Sequence, residues 1–331
     1  MSLTEHREPS SLDVARRDAL VCSLSVALAI CSTAAQAQAC DAQSAYRAVR
    51  EEPHTRIDVG RGEIDVVFHS AASLDRELTL HWIRTSASAV AEYFGRFPVK
   101  QVGIVVVGED GGRVMSGTTY GFDRSAICLR VGRDVDAETL RQDWVLVHEM
   151  THLALPVVPR QSEWLLEGNA TYVEPIARAQ IGQLDPATVW RWTIEGMPKG
   201  MPQTDDKGLD HTPTWGRTYW GGALFWLLAD VRIQQQTQGR FGVQDALRGI
   251  NEKSGGNTSR WTVDEVVAAG DAATKTRVLS DLYQAMKAAP APIDLGGLFR
   301  DLGVSEKDGA ILFDDRAPLS QIRRRITAPH P

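Results

Sequence analysis

The stretch Trp144-Val145-Leu146-Val147-His148-Glu149-Met150-Thr151-His152 combines residue types and a spacing suited to metal chemistry. Histidines at i and i+4 fall on one face of a helix, one turn apart. Their imidazole nitrogens can then reach one Zn2+ at about 2.0–2.1 Å. Glu149 lies beside that position, where it can take a proton from the water that attacks a substrate. Val145, Val147 and Leu153 make the rest of the segment apolar, as a buried active-site helix requires. On these residues alone, two core histidines satisfied by backbone groups are the alternative.

Zinc hydrolases usually take three protein ligands and leave one position open. The continuation H-E-x-x-H-x-x-G-x-x-H fails here, because Leu155 and Val158 stand at the Gly and His positions. A second segment, Glu163-Trp164-Leu165-Leu166-Glu167-Gly168-Asn169-Ala170-Thr171-Tyr172-Val173-Glu174, offers another ligand. With the first motif it resembles the gluzincin metallopeptidases, in particular the membrane-alanyl, leukotriene-hydrolase and glycyl aminopeptidase branch and the small peptidase-MA-like domains. That resemblance implies that Glu167 is the third zinc ligand. It also implies a thermolysin-like fold, with the active-site helix between two lobes, and a peptide or protein substrate. Fourteen residues separate His152 from Glu167, a shorter loop than in the large aminopeptidases.

Glu174 follows Glu167 by seven residues, two helical turns along the same face. Family members often carry an acid there that accepts the free N–H of a ligand histidine. A solvent-exposed helix carboxylate is the alternative for Glu174. The run Thr218-Tyr219-Trp220-Gly221-Gly222 looks like the family's Y-x-x-G helix start, with Gly221 where lysine is usual. By that likeness the Tyr219 hydroxyl stabilises the oxyanion of acyl transfer. His211, in the preceding loop, is a competing oxyanion donor, and an aromatic core residue is the plainer reading of Tyr219. The aminopeptidases also carry a G-x-M-E-N-like edge strand whose glutamate holds the substrate's amino group. Its counterpart falls near Ser116 to Val131, where Gly117-Thr118-Thr119-Tyr120-Gly121 has no glutamate.

These residues need elements to hold them. Residues 56–70 read as a β-hairpin turning near Gly60 and Gly62, and apolar spacing predicts a helix over 73–94. Val102–Val107 and Ala126–Val131 read as strands. Asp136 can cap a helix running through Trp144 to about Ala154, which Pro156 and Pro159 end. A second helix should run from about Glu163 to Arg178, bent where Pro175 removes a donor. Further helices are expected over 218–235, 241–251, 263–269 and 274–288, with a short C-terminal set. The fold class is α+β: an N-terminal lobe over 40–135 packed on a helical catalytic lobe over 136–331, the two forming one peptidase unit.

The first 39 residues read as a signal peptide. Arg16-Arg17 precede an uncharged, mostly apolar run from Ala19 to Cys31, and Ala35-Gln36-Ala37 and Ala37-Gln38-Ala39 offer cleavage sites. Export to a periplasm or the medium is expected, by either the general or the twin-arginine route. A lipid anchor on Cys40 fits less well, since the leucine of that motif is lacking. Cys40 and Cys128 then remain, as one disulfide or as two thiols. No later segment is long and apolar enough for a membrane helix.

Composition bounds the rest. The chain has 331 residues, 36 Lys+Arg against 42 Asp+Glu, a formal net charge of −6 and 43% apolar residues. Disorder, collagen-like repeats and disulfide-dense miniproteins are excluded, and nucleic acid is not the expected partner. Seven of the nine tryptophans lie between Trp144 and Trp226, some of them expected to line an apolar substrate cleft. A zinc metallopeptidase is the leading function. The alternatives are a catalytically inactive zinc-bearing gluzincin-like scaffold or binding domain, and a metal-free structural protein.

Overall fold

The computed structural model describes residues 40–329, so the signal-peptide reading of 1–39 lies outside the described residues. The chain enters through helix α1 (Ala42–Glu51), capped by Asp41 accepting from the Ser44 amide. Strands β1 (His54–Val59) and β2 (Gly62–His69) form the expected hairpin, followed by α2 (Arg76–Phe94) and β3 (Gln101–Glu109). Then come β4 (Val114–Gly121) and β5 (Ser125–Gly132), which complete one five-stranded sheet. Its order is β1-β2-β3-β5-β4, with β2, β3 and β5 parallel and the outer strands antiparallel.

Side-chain alternation splits the central strands between two faces. Ile104 and Val106 face the main core with α2, while Val105 and Val107 join Ala45 and Ala48 of α1. Gly103 makes that second contact close: a Cβ there would come within 2.3 Å of Val49. A disulfide between Cys40 and Cys128 ties the start of α1 to β5. The sequence reading omits α1, which buries only two alanines; β4, rich in Gly and Thr and without apolar alternation, lies at the start of the stretch where the family resemblance implied an edge strand.

One long helix was expected from 136 to 154, and the structure corrects this. Helix α3 (Ala137–Gln142) ends at Asp143, and a new helix, α4 (Val145–Thr151), begins after Trp144. Asp143 is extended (φ −60°, ψ 138°) and its carboxylate accepts from the Leu146 amide, which starts the second helix. Arg178 donates to the freed carbonyls of Arg141 and Gln142 at 3.2 and 3.1 Å. His152 opens a short 3₁₀ turn, His152–Ala154.

Helix α5 (Trp164–Gln180) continues through Pro175. Helix α6 (Pro186–Gly196), absent from the sequence reading, follows it. The helix expected at Thr218 instead starts as a π-helical stretch, Gly216–Gly221, that leads into α7 (Gly222–Thr237). Helices α8 (Val243–Ser254), α9 (Val263–Thr274) and α10 (Val278–Met286) complete the helical part. The C-terminus adds α11 (Leu295–Leu302), an unforeseen hairpin of β6 (Val304–Lys307) and β7 (Ala310–Phe313), and α12 (Ser320–Thr327). Among the described residues, no helix is long and apolar enough to cross a membrane.

Candidate metal centre

Helix α4 packs between the edge strand β4 and helix α5, so His148, Glu149 and Glu167 converge from two helices. His148 and Glu149 are buried, at 6% and 9% exposure. Asn251 of α8 fixes the turn after His152 by donating to the Ala154 carbonyl at 2.9 Å, and the Asn257 amide donates to Leu153 O. Glu167 is placed by backbone contact between helices. Its neighbour Gly168 lies against Gly222, where a Cβ would come 2.3 Å from the Gly222 Cα. No residue larger than glycine fits that crossing unless the helices move apart.

His148 Nε2 lies 3.2 Å and His152 Nε2 3.6 Å from Glu167 Oε2. Ligand atoms about 2.0–2.1 Å from a tetrahedral zinc stand about 3.3 Å from one another, so these separations fit one zinc ion. Among the described residues this is the one group of three or more His, Cys, Asp or Glu side chains that could hold a metal ion. Burial alone would raise the Glu167 carboxyl, yet the two imidazoles hold it well below the usual carboxylate range. His152 is raised despite its burial, because it faces the Glu167 carboxylate. The donor set of two imidazoles and a carboxylate suits zinc and leaves a fourth position open.

Glu149 is oriented from the edge strand. Thr119 Oγ1 lies 2.7 Å from Glu149 Oε2 and 2.9 Å from its carbonyl oxygen, and donates its single proton to one or the other. Two residues earlier, Gly117 leaves space for the same side chain: a Cβ there would stand 2.5 Å from Glu149 Cγ. Neither residue stands out in the sequence as functional. Only the packing of β4 against α4 brings them to Glu149, across 30 residues of chain.

The other expected residues fall in different places. The Tyr219 ring stacks beside His148, with centroids 6.4 Å apart and planes 23° apart. Burial, with the nearby carboxylates of Glu167, Glu163 and Glu149, pushes its hydroxyl up to about 12, so it remains a proton donor at neutral pH. His211 is exposed and its amide donates to Gly208 O; the structure records no contact joining its ring to the metal-ligand group. Neighbouring Asp210 anchors that loop by accepting from Ser162, Trp164 and Tyr283. Glu174 is buried rather than exposed, and its hydrogen-bond partner is Arg178 Nη1 at 2.7 Å rather than a histidine. Burial pushes its carboxyl up to about 7 even beside that guanidinium. Glu174 therefore braces α5 against the end of α3 through Arg178.

No family model and no curated protein matches this chain. Solved structures do. The aminopeptidase N family protein from Idiomarina loihiensis superimposes with a TM-score of 0.57 at 14% identity, over 76% of this chain and 49% of that one. The M1 zinc metallopeptidase of Deinococcus radiodurans, solved with a Tyr-Ser-Ala substrate, gives a TM-score of 0.44 at 12% identity, over 72% and 52%. Legionella pneumophila aminopeptidase A, in complex with aspartic acid, gives 0.45 at 11% identity, over 71% and 28%. The fold is shared with part of that aminopeptidase N family structure, in agreement with the gluzincin resemblance of the motifs. The chain spans about half the length of the Idiomarina structure.

Proposed function

We propose that this chain is a zinc-dependent metallopeptidase of gluzincin type, with His148, His152 and Glu167 as ligands. The observation that carries the reading is a donor set at zinc-fitting separations with Glu149 held beside it by Thr119. A zinc ion bound there supplies Lewis-acid polarisation of the scissile carbonyl and lowers the pKa of the attacking water. Glu149 takes the proton from that water and returns it to the leaving amine. Tyr219 donates its hydroxyl proton as a hydrogen bond to the carbonyl oxygen while negative charge develops there. His211, exposed in its loop, is the weaker choice for that role.

The substrate is a peptide or protein. Strand β4 is one of the sheet's two outer strands, the kind of edge to which an extended peptide can add. It carries Thr118 and Thr119 where a glutamate would anchor a free amino terminus, so the reading does not extend to aminopeptidase specificity. Export to a periplasm or the medium is part of the proposal, supported by the leader-like segment 1–39 and by the Cys40–Cys128 disulfide. The test is the Glu149→Gln protein, with zinc content measured beside peptide cleavage. The expected outcome is retained zinc with cleavage reduced about 10²–10⁴-fold, the usual share of a general base. Cleavage equal to the parent would overturn the mechanism. A parent that binds zinc but yields no metal-dependent products would favour the inactive scaffold reading.

A further inference from the structure

A cavity of about 520 Å³ opens beside His148, between the second half of α5, helix α6 and the π-helical stretch. That volume lies within the range of about 300–1,000 Å³ typical of sites that enclose small ligands. Trp144 and Trp215 stand at its rim, 52% and 61% exposed. They border the candidate site: the Trp144 ring meets His148 edge-on at 5.4 Å, and the Trp215 ring stacks at 6.0 Å on Tyr219, which itself lies beside His148. Trp190, Trp192 and Trp220 line the cavity further along. Large indole rings left in water beside a concave apolar wall mark surface that a ligand would cover.

The polar groups facing this space are mostly committed elsewhere. Buried Glu174 is paired with Arg178, and the Thr193 hydroxyl donates to the Val189 carbonyl at 2.8 Å. The Lys199 ammonium sits over the Trp220 ring, 5.6 Å from its centroid. Glu195 and Lys199 line it as exposed residues, and most of the remaining wall is rings and hydrocarbon, including Trp190, Trp192, Trp220, Ile176 and Leu227. We infer that the cavity is a specificity pocket for a bulky apolar or aromatic side chain of a peptide, held next to the bond that the metal centre cleaves. The inference rests on the metallopeptidase reading for the cleavage, while the pocket's preference stands on its own lining.

Two measurements separate the two ideas. Metal-free full-length protein is titrated calorimetrically with the N-acetyl amides of phenylalanine, leucine, glycine, lysine and glutamate. Phenylalanine and leucine should bind about 10-fold or more tightly than the other three, since apolar contact alone discriminates on that scale. Thr193→Phe, which fills the cavity, and Trp192→Ala, which removes one wall, should each abolish that preference; the second serves if the first does not fold. The zinc-loaded protein is then given a peptide mixture, and phenylalanine or leucine should recur at one fixed position relative to the cut. Uniform binding of all five amides, or a stronger response to N-acetylglucosamine oligomers, overturns the pocket. Cleavage without an apolar preference also overturns the pocket and leaves the peptidase standing. Selective amide binding without any cleavage overturns the peptidase and leaves the pocket standing.

Discussion

Thr119 is the side chain through which the sheet controls the proposed base. A carboxylate that must take and return a proton needs a fixed direction, and one hydroxyl at 2.7 Å supplies it. In Thr119→Val, zinc content should be unchanged while kcat falls about 10–100-fold, the effect of losing one hydrogen bond to a charged group. KM should move little, and Thr119→Ser should restore most of the rate. An unaltered kcat in the valine variant would remove Thr119 from the positioning role. Gly117 acts by what it lacks, since any side chain there meets Glu149.

Helix junctions decide where the candidate ligands point. The Gly168–Gly222 crossing lets α5 reach the start of α7, setting Glu167 beside the turn that carries Tyr219. Gly168→Ala should cost about 1–3 kcal/mol in urea unfolding, the range for forcing a methyl into a packed crossing. Zinc affinity should fall with it; a variant as stable as the parent would show that the helices separate freely.

The break between α3 and α4 gives a pH test. Burial pushes the Asp143 carboxyl up to about 6, above its ordinary value of 3.8. Between those values the folded chain holds a proton that the unfolded chain has released, so stability falls as pH rises through that window. Asp143→Asn keeps an acceptor for the Leu146 amide and removes the titration. The variant should gain about 1–3 kcal/mol relative to the parent between pH 4 and pH 8, read from paired denaturation curves. A constant difference across that range would contradict the assignment.

At the scale of the molecule, the sheet is covered on both faces, and the smaller cover depends on a covalent link. Helix α1 buries only Ala45 and Ala48, too little to dock it firmly by apolar contact. The disulfide closes a sequence separation of 88 residues and lies on the α1 side of the sheet. Replacing both Cys40 and Cys128 by serine should lower unfolding stability by about 3–5 kcal/mol, as expected for a loop of that length. The cleavage rate at low temperature should survive, because α4 and α5 pack on the opposite face. Loss of zinc binding in the folded double variant would show that α1 reaches the site.

The two candidate histidine ligands were legible because helical periodicity is local. His148 and His152 share a face wherever that segment is helical, and Glu167 sits one segment on in a recognisable pattern. Caps at Asp136 and the hairpin at Gly60–Gly62 were readable for the same reason. What depended on distant partners was not. Asp143 splits the active-site helix because Arg178, 35 residues later, receives the freed carbonyls. Glu174 turns to that same arginine instead of a histidine, and Tyr219 rides a π-helical turn rather than a regular helix start. Thr119 reaches Glu149 only across the sheet edge, and five tryptophans scattered over residues 144–220 meet only around one cavity. By itself, then, the sequence determined that His148 and His152 can share a metal, since that follows from spacing along one segment, while Glu167 came from the resemblance of its motif. Tertiary structure alone decided what orients the base and what fills the space beside it, because those contacts join segments whose approach is set by packing.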